Sequence, residues 1–280
     1  MSEASEGSGL NDAIQDMYRS ANLTRLKFDG DLTAAAGYYK DFVEFISTVV
    51  PVVSGDRPLH ILDVGCGAGW SSYFLTKAGY RVTGIDLNPD VFEPPVTDGL
   101  VLQRGSALKL EFHDRSFDVV TAYQCVEHFP DPELGLNEMI RVLKPGGVIA
   151  IIGPNLVTPA LPVRQLLKQI ISGQMKFRRN AGLARHPYGN TAPELAGAVF
   201  LTSARLVRKL FRADAVFTMR KPDSVPPFHG DNDACYLCNP TDLIKFVRHR
   251  GFTILQTGRP GRPPFSYLFA SGTWFAARRR

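Results

Sequence analysis

The stretch Asp63-Val64-Gly65-Cys66-Gly67-Ala68-Gly69 constrains the fold of this chain more than any other. It follows the short apolar run LHILDV (59–64) and leads into GAGWSSYFLTKAG (67–79), a helical stretch ended by Gly79. Glycines in such a strand–turn–helix let backbone approach a ligand closely, because no Cβ stands in the way. The helix that opens there offers unbonded N–H groups to an anionic group. Around this turn, strands and helices alternate. YRVTGIDL (80–87), GLVLQRG (99–105), SFDVVTAY (116–123) and GVIAIIGP (147–154) read as four further strands. Asp131-Pro132-Glu133 starts a helix with its cap and first-turn proline in place, and Pro145-Gly146-Gly147 is expected to stop it after Lys144. Strands apolar on both faces, alternating with helices, imply a mostly parallel sheet covered on both sides.

Length and composition bound what surrounds this core. With 280 residues, 44% hydrophobic and 21% charged, the chain has ample material for one large domain with an insertion. Residues 1–9 are expected to be a disordered tail, 10–54 N-terminal helices, and 55–155 the ligand-binding core. Between 156 and 238 the strand–helix rhythm fails, and two amphipathic basic helices are expected at 161–173 and 201–213. From 239 to 280 a helix (241–250) and two strands (252–258 and 266–279) complete the sheet, the last alternating as an antiparallel neighbour would. No apolar run reaches the roughly 20 residues that span a bilayer. The acidic, polar start argues against a secretory leader, and the four cysteines are too few and scattered for a disulfide framework. A cytoplasmic protein is the expectation, with peripheral attachment to the inner face of a membrane as the alternative.

Asp86 ends the second strand, 21 residues beyond Gly65. At that distance a carboxylate can accept the hydroxyls of a ribose bound across the sheet edge. A nicotinamide-dependent oxidoreductase is therefore one candidate. Its fingerprint G-x-G-x-x-G, however, would place glycine where Trp70 stands.

The stretches ILDVGCGAGWSSYFLTKAGYRVTGIDLNP (61–89) and SFDVVTAYQCVEHFPDPELGLNEMIRVLKPGGVIAIIGPN (116–155) resemble the class I S-adenosylmethionine-dependent methyltransferases, most closely the small-molecule and lipid branch that includes the ubiquinone and menaquinone methyltransferases. The resemblance implies a Rossmann-like α/β fold, a mostly parallel seven-stranded sheet with an antiparallel last strand, and a helical lid insertion. It implies S-adenosylmethionine as cofactor and methyl transfer, favoured at oxygen, to a small-molecule or lipid-like acceptor. Gly65, Cys66 and Gly67 would approach the methionine part, with Asp63 acting through a water or on the amino group. Trp70 would pack at the helix start beside the cofactor. Asp86 would hold the ribose hydroxyls, Leu87 would pack on the adenine, and Gln124 would line the methionine side. Where the family often has Gly-Asp-Ala against the adenine amino group, this chain has Gly105-Ser106-Ala107, a neutral hydroxyl in place of a carboxylate.

Methyl transfer to a hydroxyl needs a nucleophile in line and a base for its proton. His128, in Cys125-Val126-Glu127-His128-Phe129 just past the fourth strand, is the candidate base, since an imidazole titrates near neutrality; a purely structural role is the alternative. Tyr18, Tyr38 and Tyr39 are candidates to close over the ligand, although each also fits a helix core face. The polar stretches 185–190 and 228–233, with Tyr188 and His229, are expected on the substrate side. Cys235-x-x-Cys238, between His229 and His249, has zinc-like spacing but no second cysteine pair; no metal is expected there.

Charge is concentrated in the insertion. Residues 156–221 carry 12 Lys/Arg against 2 Asp/Glu, a net of +10, while the whole chain stands at +5. A basic amphipathic insertion fits either an ordinary lid or contact with an anionic membrane surface through 161–213. No nucleic-acid motif accompanies it, so no nucleic-acid partner is expected. Either a monomer or a homodimer fits. A binding protein that keeps the cofactor pocket without chemistry is a further alternative.

Overall fold

The structure, a computed structural model, describes residues 28, 31–51, 53–54, 57–88, 92–171, 191–220, 222, 234–263 and 265–280. Seven strands form the central sheet: β1 (His60–Val64), β2 (Arg81–Asp86), β3 (Leu100–Arg104), β4 (Phe117–Tyr123), β5 (Leu143–Pro154), β6 (Phe252–Thr257) and β7 (Gly272–Arg279), in the order β3-β2-β1-β4-β5-β7-β6. Strands β3, β2, β1, β4 and β5 pair in parallel, and β7 lies antiparallel between β5 and β6.

Alternate residues of each strand face opposite helical layers. Ile61, Val82, Val119, Val148 and Ala150 pack with α1 (Leu32–Val49) and α2 (Trp70–Lys77). Leu62, Ile85, Val120, Ile149 and Phe275 pack with α3 (Pro132–Val142) and α6 (Pro240–Arg248). The helices start where the side chains provide caps. Asp31 accepts from Thr33 and Ala34, Asp131 from Leu134, and Asn239 from Asp242, the last two followed by a proline in the first turn.

Several boundaries differ from the sequence reading: α3 ends at Val142 rather than Lys144, because Leu143 is already extended and opens β5, which runs through Pro145-Gly146-Gly147. Helix α1 ends at Val49, because Val50 is extended ahead of Pro51, and a two-residue ladder of Val53–Ser54 with Arg57–Pro58 follows. In the insertion, α4 (Ala160–Ile171) packs against α5 (Ala192–Phe211). Helix α5 starts nine residues before the expected 201, since Thr191 and Glu194 form a reciprocal capping box. The final strand starts at Gly272 rather than 266. Residues Ser266–Leu268 form one 3₁₀ turn instead, with the Ser266 carbonyl accepting from Phe269 and Ala270.

Candidate active site

Strand β1 delivers Asp63 and then the glycine turn to the carboxyl edge of the sheet. Gly65, Gly67 and Gly69 all hold positive φ (+69°, +56° and +92°), so α2 cannot begin before Trp70. Two of these positions leave no room for a side chain. A Cβ on Gly65 would lie 2.0 Å from Cys125 Sγ, and one on Gly69 would lie 2.6 Å from Leu102 Cδ1. The turn is pinned from β2: the Ile85 carbonyl accepts from the N–H groups of Gly65 (2.8 Å) and Cys66 (3.0 Å). Asp86 Oδ2 accepts from the Gly67 N–H at 2.9 Å, and its Oδ1 accepts from Asn88 at 3.1 Å. Burial raises the pKa of Asp86, against these backbone bonds.

Asp63 is fully buried. Its Oδ2 accepts from the hydroxyls of Ser71 (2.6 Å) and Ser72 (2.7 Å), both in the first turn of α2. Its Oδ1 has no hydrogen-bond partner among the described residues, and neither has Thr121 Oγ1. Asp63 and Thr121 are register partners on β1 and β4, so both orphaned atoms belong to the same face of the sheet. Burial pushes the Asp63 carboxyl up to about 6, against the two serine bonds. A buried carboxylate with one oxygen unsatisfied suits a cationic amino group, and the glycine turn suits a ligand lying against backbone. The residues present thus fit the amino-acid end of S-adenosylmethionine.

Other positions expected from the sequence are disposed as follows. Cys66 is buried in the turn and Cys125 stands against Gly65; burial pushes both thiols well up, which keeps them from acting as nucleophiles. Gln124 follows β4 with φ +52°, its N–H donating to the Ile152 carbonyl and its side chain exposed. Leu87 is half-buried just past Asp86. Ser106 Oγ accepts from Leu108 N–H at 3.3 Å, and Ala107 packs against the core on the α3 side. Trp70 is buried, stacked on Phe74, with its indole N–H donating to Glu93 at 2.7 Å. Tyr39 is buried among Phe28, Tyr38, Phe74 and Tyr123, and burial raises its pKa. Tyr18, Tyr188 and His229 lie outside the described residues.

His128 sits in a 3₁₀ turn (Val126–His128) that follows β4 at the carboxyl edge. Its Nε2 is 3.9 Å from Oε1 of the buried Glu127. The Glu127 carbonyl accepts from the N–H groups of both Cys235 (2.8 Å) and Tyr236 (2.9 Å), so the segment carrying Cys235 and Cys238 braces this turn. Both cysteines are buried, and no group of three metal-ligating side chains occurs among the described residues.

Sequence reasoning missed Ser71, Ser72, Thr121 and Glu127. The two serines carry a legible signal, since polar residues in the first turn of a buried helix need a partner. Thr121 carries none, because its importance comes from strand register.

A protein-family model described as a methyltransferase domain matches residues 62–151. The chain is 39% identical over 99 residues to the 2-methyl-6-phytyl-1,4-hydroquinone methyltransferase of Synechocystis sp., covering 32% of this chain and 30% of that one. It is 37% identical over 129 residues to the demethylmenaquinone methyltransferase of Staphylococcus aureus, covering 43% and 52%. It is 33% identical over 124 residues to the 27-O-demethylrifamycin SV methyltransferase of Amycolatopsis mediterranei, covering 41% and 44%. The matches thus span about a third to a half of these relatives. Among solved structures, an S-adenosylmethionine-dependent methyltransferase from Listeria monocytogenes, itself of putative function, aligns with a TM-score of 0.52 at 15% identity, over 88% of this chain and 99% of that one. Magnesium protoporphyrin IX methyltransferase of Synechocystis PCC 6803, with bound S-adenosylhomocysteine, aligns with a TM-score of 0.50 at 14% identity, over 98% and 95%. These two likenesses bear on the fold. Residues 62–151 thus match a methyltransferase domain, set on a sheet that shares the fold of solved S-adenosylmethionine-dependent methyltransferases.

Proposed function

We propose that the protein transfers a methyl group from S-adenosylmethionine to an oxygen of a small, largely apolar acceptor of the quinol or polyketide kind. The observation that carries this reading is the glycine turn with the half-partnered, buried Asp63 behind it. The relatives' names, a hydroquinone, a menaquinone precursor and a rifamycin, support the acceptor class.

Bound S-adenosylmethionine supplies a methyl group already activated by its positive sulfur. The work left to the chain is holding, orienting and moving one proton. Asp63 offsets the charge of the amino group, and the turn backbone at Gly65–Gly67 lies along the methionine part. Asp86 keeps a lone pair on each oxygen for the ribose hydroxyls after its backbone bonds are counted. Leu87 packs on the adenine, while Ser106 and Ala107 border it. Gln124 lines the methyl-bearing end. His128, whose Nε2 stands 3.9 Å from the buried Glu127 carboxylate, takes the proton from the acceptor hydroxyl. Tyr39 completes the acceptor side.

The test is calorimetry against S-adenosylmethionine and NAD, followed by turnover of a hydroquinone acceptor by the parent and by His128→Asn. Binding of the first ligand alone is expected. His128→Asn is expected to lose about 10²–10⁴ in kcat, with cofactor affinity within about twofold, since His128 acts only on the acceptor. No adenosyl-ligand binding would sink the proposal. Binding without turnover would favour a non-catalytic binding protein, and unchanged turnover would remove His128 as base.

A further inference from the structure

Helix α5 buries one side and carries an apolar stripe on the other, which none of the described residues covers. Leu195, Thr202, Leu206 and Lys209 are buried and recur at i, i+7, i+11 and i+14, one side of a helix of 3.6 residues per turn. Leu206 packs there with Leu156, Val157 and Leu237, which places the helix over the carboxyl edge of the sheet, just beyond β5. The other side carries Phe200, Ala204, Val207 and Phe211, at i, i+4, i+7 and i+11. Phe200 is 72% exposed, Val207 51% and Phe211 88%. Arg205, Arg208 and Arg212 flank this stripe and are also exposed. On the neighbouring α4, Leu167 is 51% exposed.

An apolar stripe directed at water is costly, and its flanking charge selects what would cover it. A second copy of this chain would bring one strongly basic insertion, net +10 over residues 156–221, against another. A nucleic-acid duplex would meet the arginines but leave the phenylalanines in water. A bilayer surface bearing anionic headgroups satisfies both: the arginines reach headgroup phosphates while the rings enter the acyl boundary.

We propose that α5 docks the protein on an anionic lipid surface, with the Phe200–Val207–Phe211 stripe inserted and Arg205, Arg208 and Arg212 at headgroup level. The site then opens beside the phase where an apolar acceptor dissolves. This deepens the acceptor reading above. Vesicle binding is measured without cofactor or acceptor, so either reading can fail alone.

Flotation of the full chain with phosphatidylcholine vesicles, with and without 30% phosphatidylglycerol, tests the proposal. Binding to the anionic vesicles, weakened by salt, is expected. Phe200→Ser/Phe211→Ser should lose binding at least tenfold. Arg205→Glu/Arg208→Glu should lose at least roughly 25-fold, at about fivefold for each arginine. All four positions are exposed and outside the proposed cofactor site, so unchanged circular dichroism and unchanged S-adenosylmethionine affinity should certify the fold of both variants. Absence of flotation, or equal flotation of the phenylalanine variant, would overturn the proposal. So would a dimer in sedimentation velocity that the phenylalanine variant dissolves while the parent ignores vesicles.

Discussion

Two buried aspartates at the carboxyl edge of the sheet are satisfied very differently. Asp242, in the first turn of α6, has every need met: its Oδ2 accepts from Lys209 (2.5 Å), Asn239 (2.7 Å) and Tyr236 (2.9 Å), and its Oδ1 from the Val216 N–H (3.2 Å). Lys209 comes from α5, so this cluster latches the insertion to the body of the domain, and Lys245 adds bonds to the Lys209 and Arg212 carbonyls at the end of α5. Asp63 is as deeply buried, yet two serine hydroxyls serve only one of its oxygens. A saturated carboxylate holds structure together. A half-saturated one is a place where a ligand can still contribute binding energy.

Breaking the latch should have the largest effect. Lys209→Met leaves the Asp242 charge buried without its cation, and about 3–5 kcal/mol of stability should be lost. Lys209→Met/Asp242→Leu, which removes both charges, should lose less. Denaturant unfolding of both variants checks this, and equal losses would show that Lys209 contributes packing alone.

Asp63 should announce itself through pH. Its carboxyl is raised to about 6 in the folded protein from 3.8, so folding favours its protonated form. Below pH 4 it contributes nothing. Between pH 4 and 7 the unliganded protein should lose roughly 2–3 kcal/mol on its account. Asp63→Asn should remove that slope, so the difference between the two stability curves isolates this group. The same variant should bind S-adenosylmethionine at least tenfold more weakly, with an affinity that no longer rises with pH near 6. A parallel pair of stability curves would refute the assignment.

The smallest change is local to the turn. Gly65→Ala places a methyl against Cys125 Sγ and forces alanine to positive φ, together worth about 2 kcal/mol. Gly65→Ala/Cys125→Ala should recover the part due to the clash and keep the part due to the backbone. Thermal melts separate the two, and no recovery would mean that backbone conformation alone decides.

How much of this was legible in the sequence follows from the range of the interactions. Strands β1, β2, β4 and β5 announce themselves as apolar runs, and the glycine turn with Asp86 marks the ligand edge, because each signal is local. The start of α5 is also legible, in the capping pair Thr191 and Glu194, although the apolar periodicity is stronger further along the helix. The 3₁₀ turn at Ser266–Leu268 was hidden because Tyr267, between Phe265 and Phe269, reads equally well as part of a strand. The latch was invisible, since Lys209 and Asp242 are 33 residues apart and a lysine in a basic helix looks like a solvated one. The orphaned Asp63 Oδ1 and Thr121 Oγ1 likewise depend on which strands become neighbours.

The latch also sets a rule for exchanging parts between relatives. The insertion looks like a removable cassette, since it enters after β5 and leaves before α6. Its counter-charge, however, lies beyond its own end, in Asp242. A chimaera cut between Phe211 and Asp242 would strand a carboxylate in the core unless the incoming segment brought its own cation. A workable transplant spans 156–248, helix α6 included, so the unit of exchange is the insertion together with the helix that receives it.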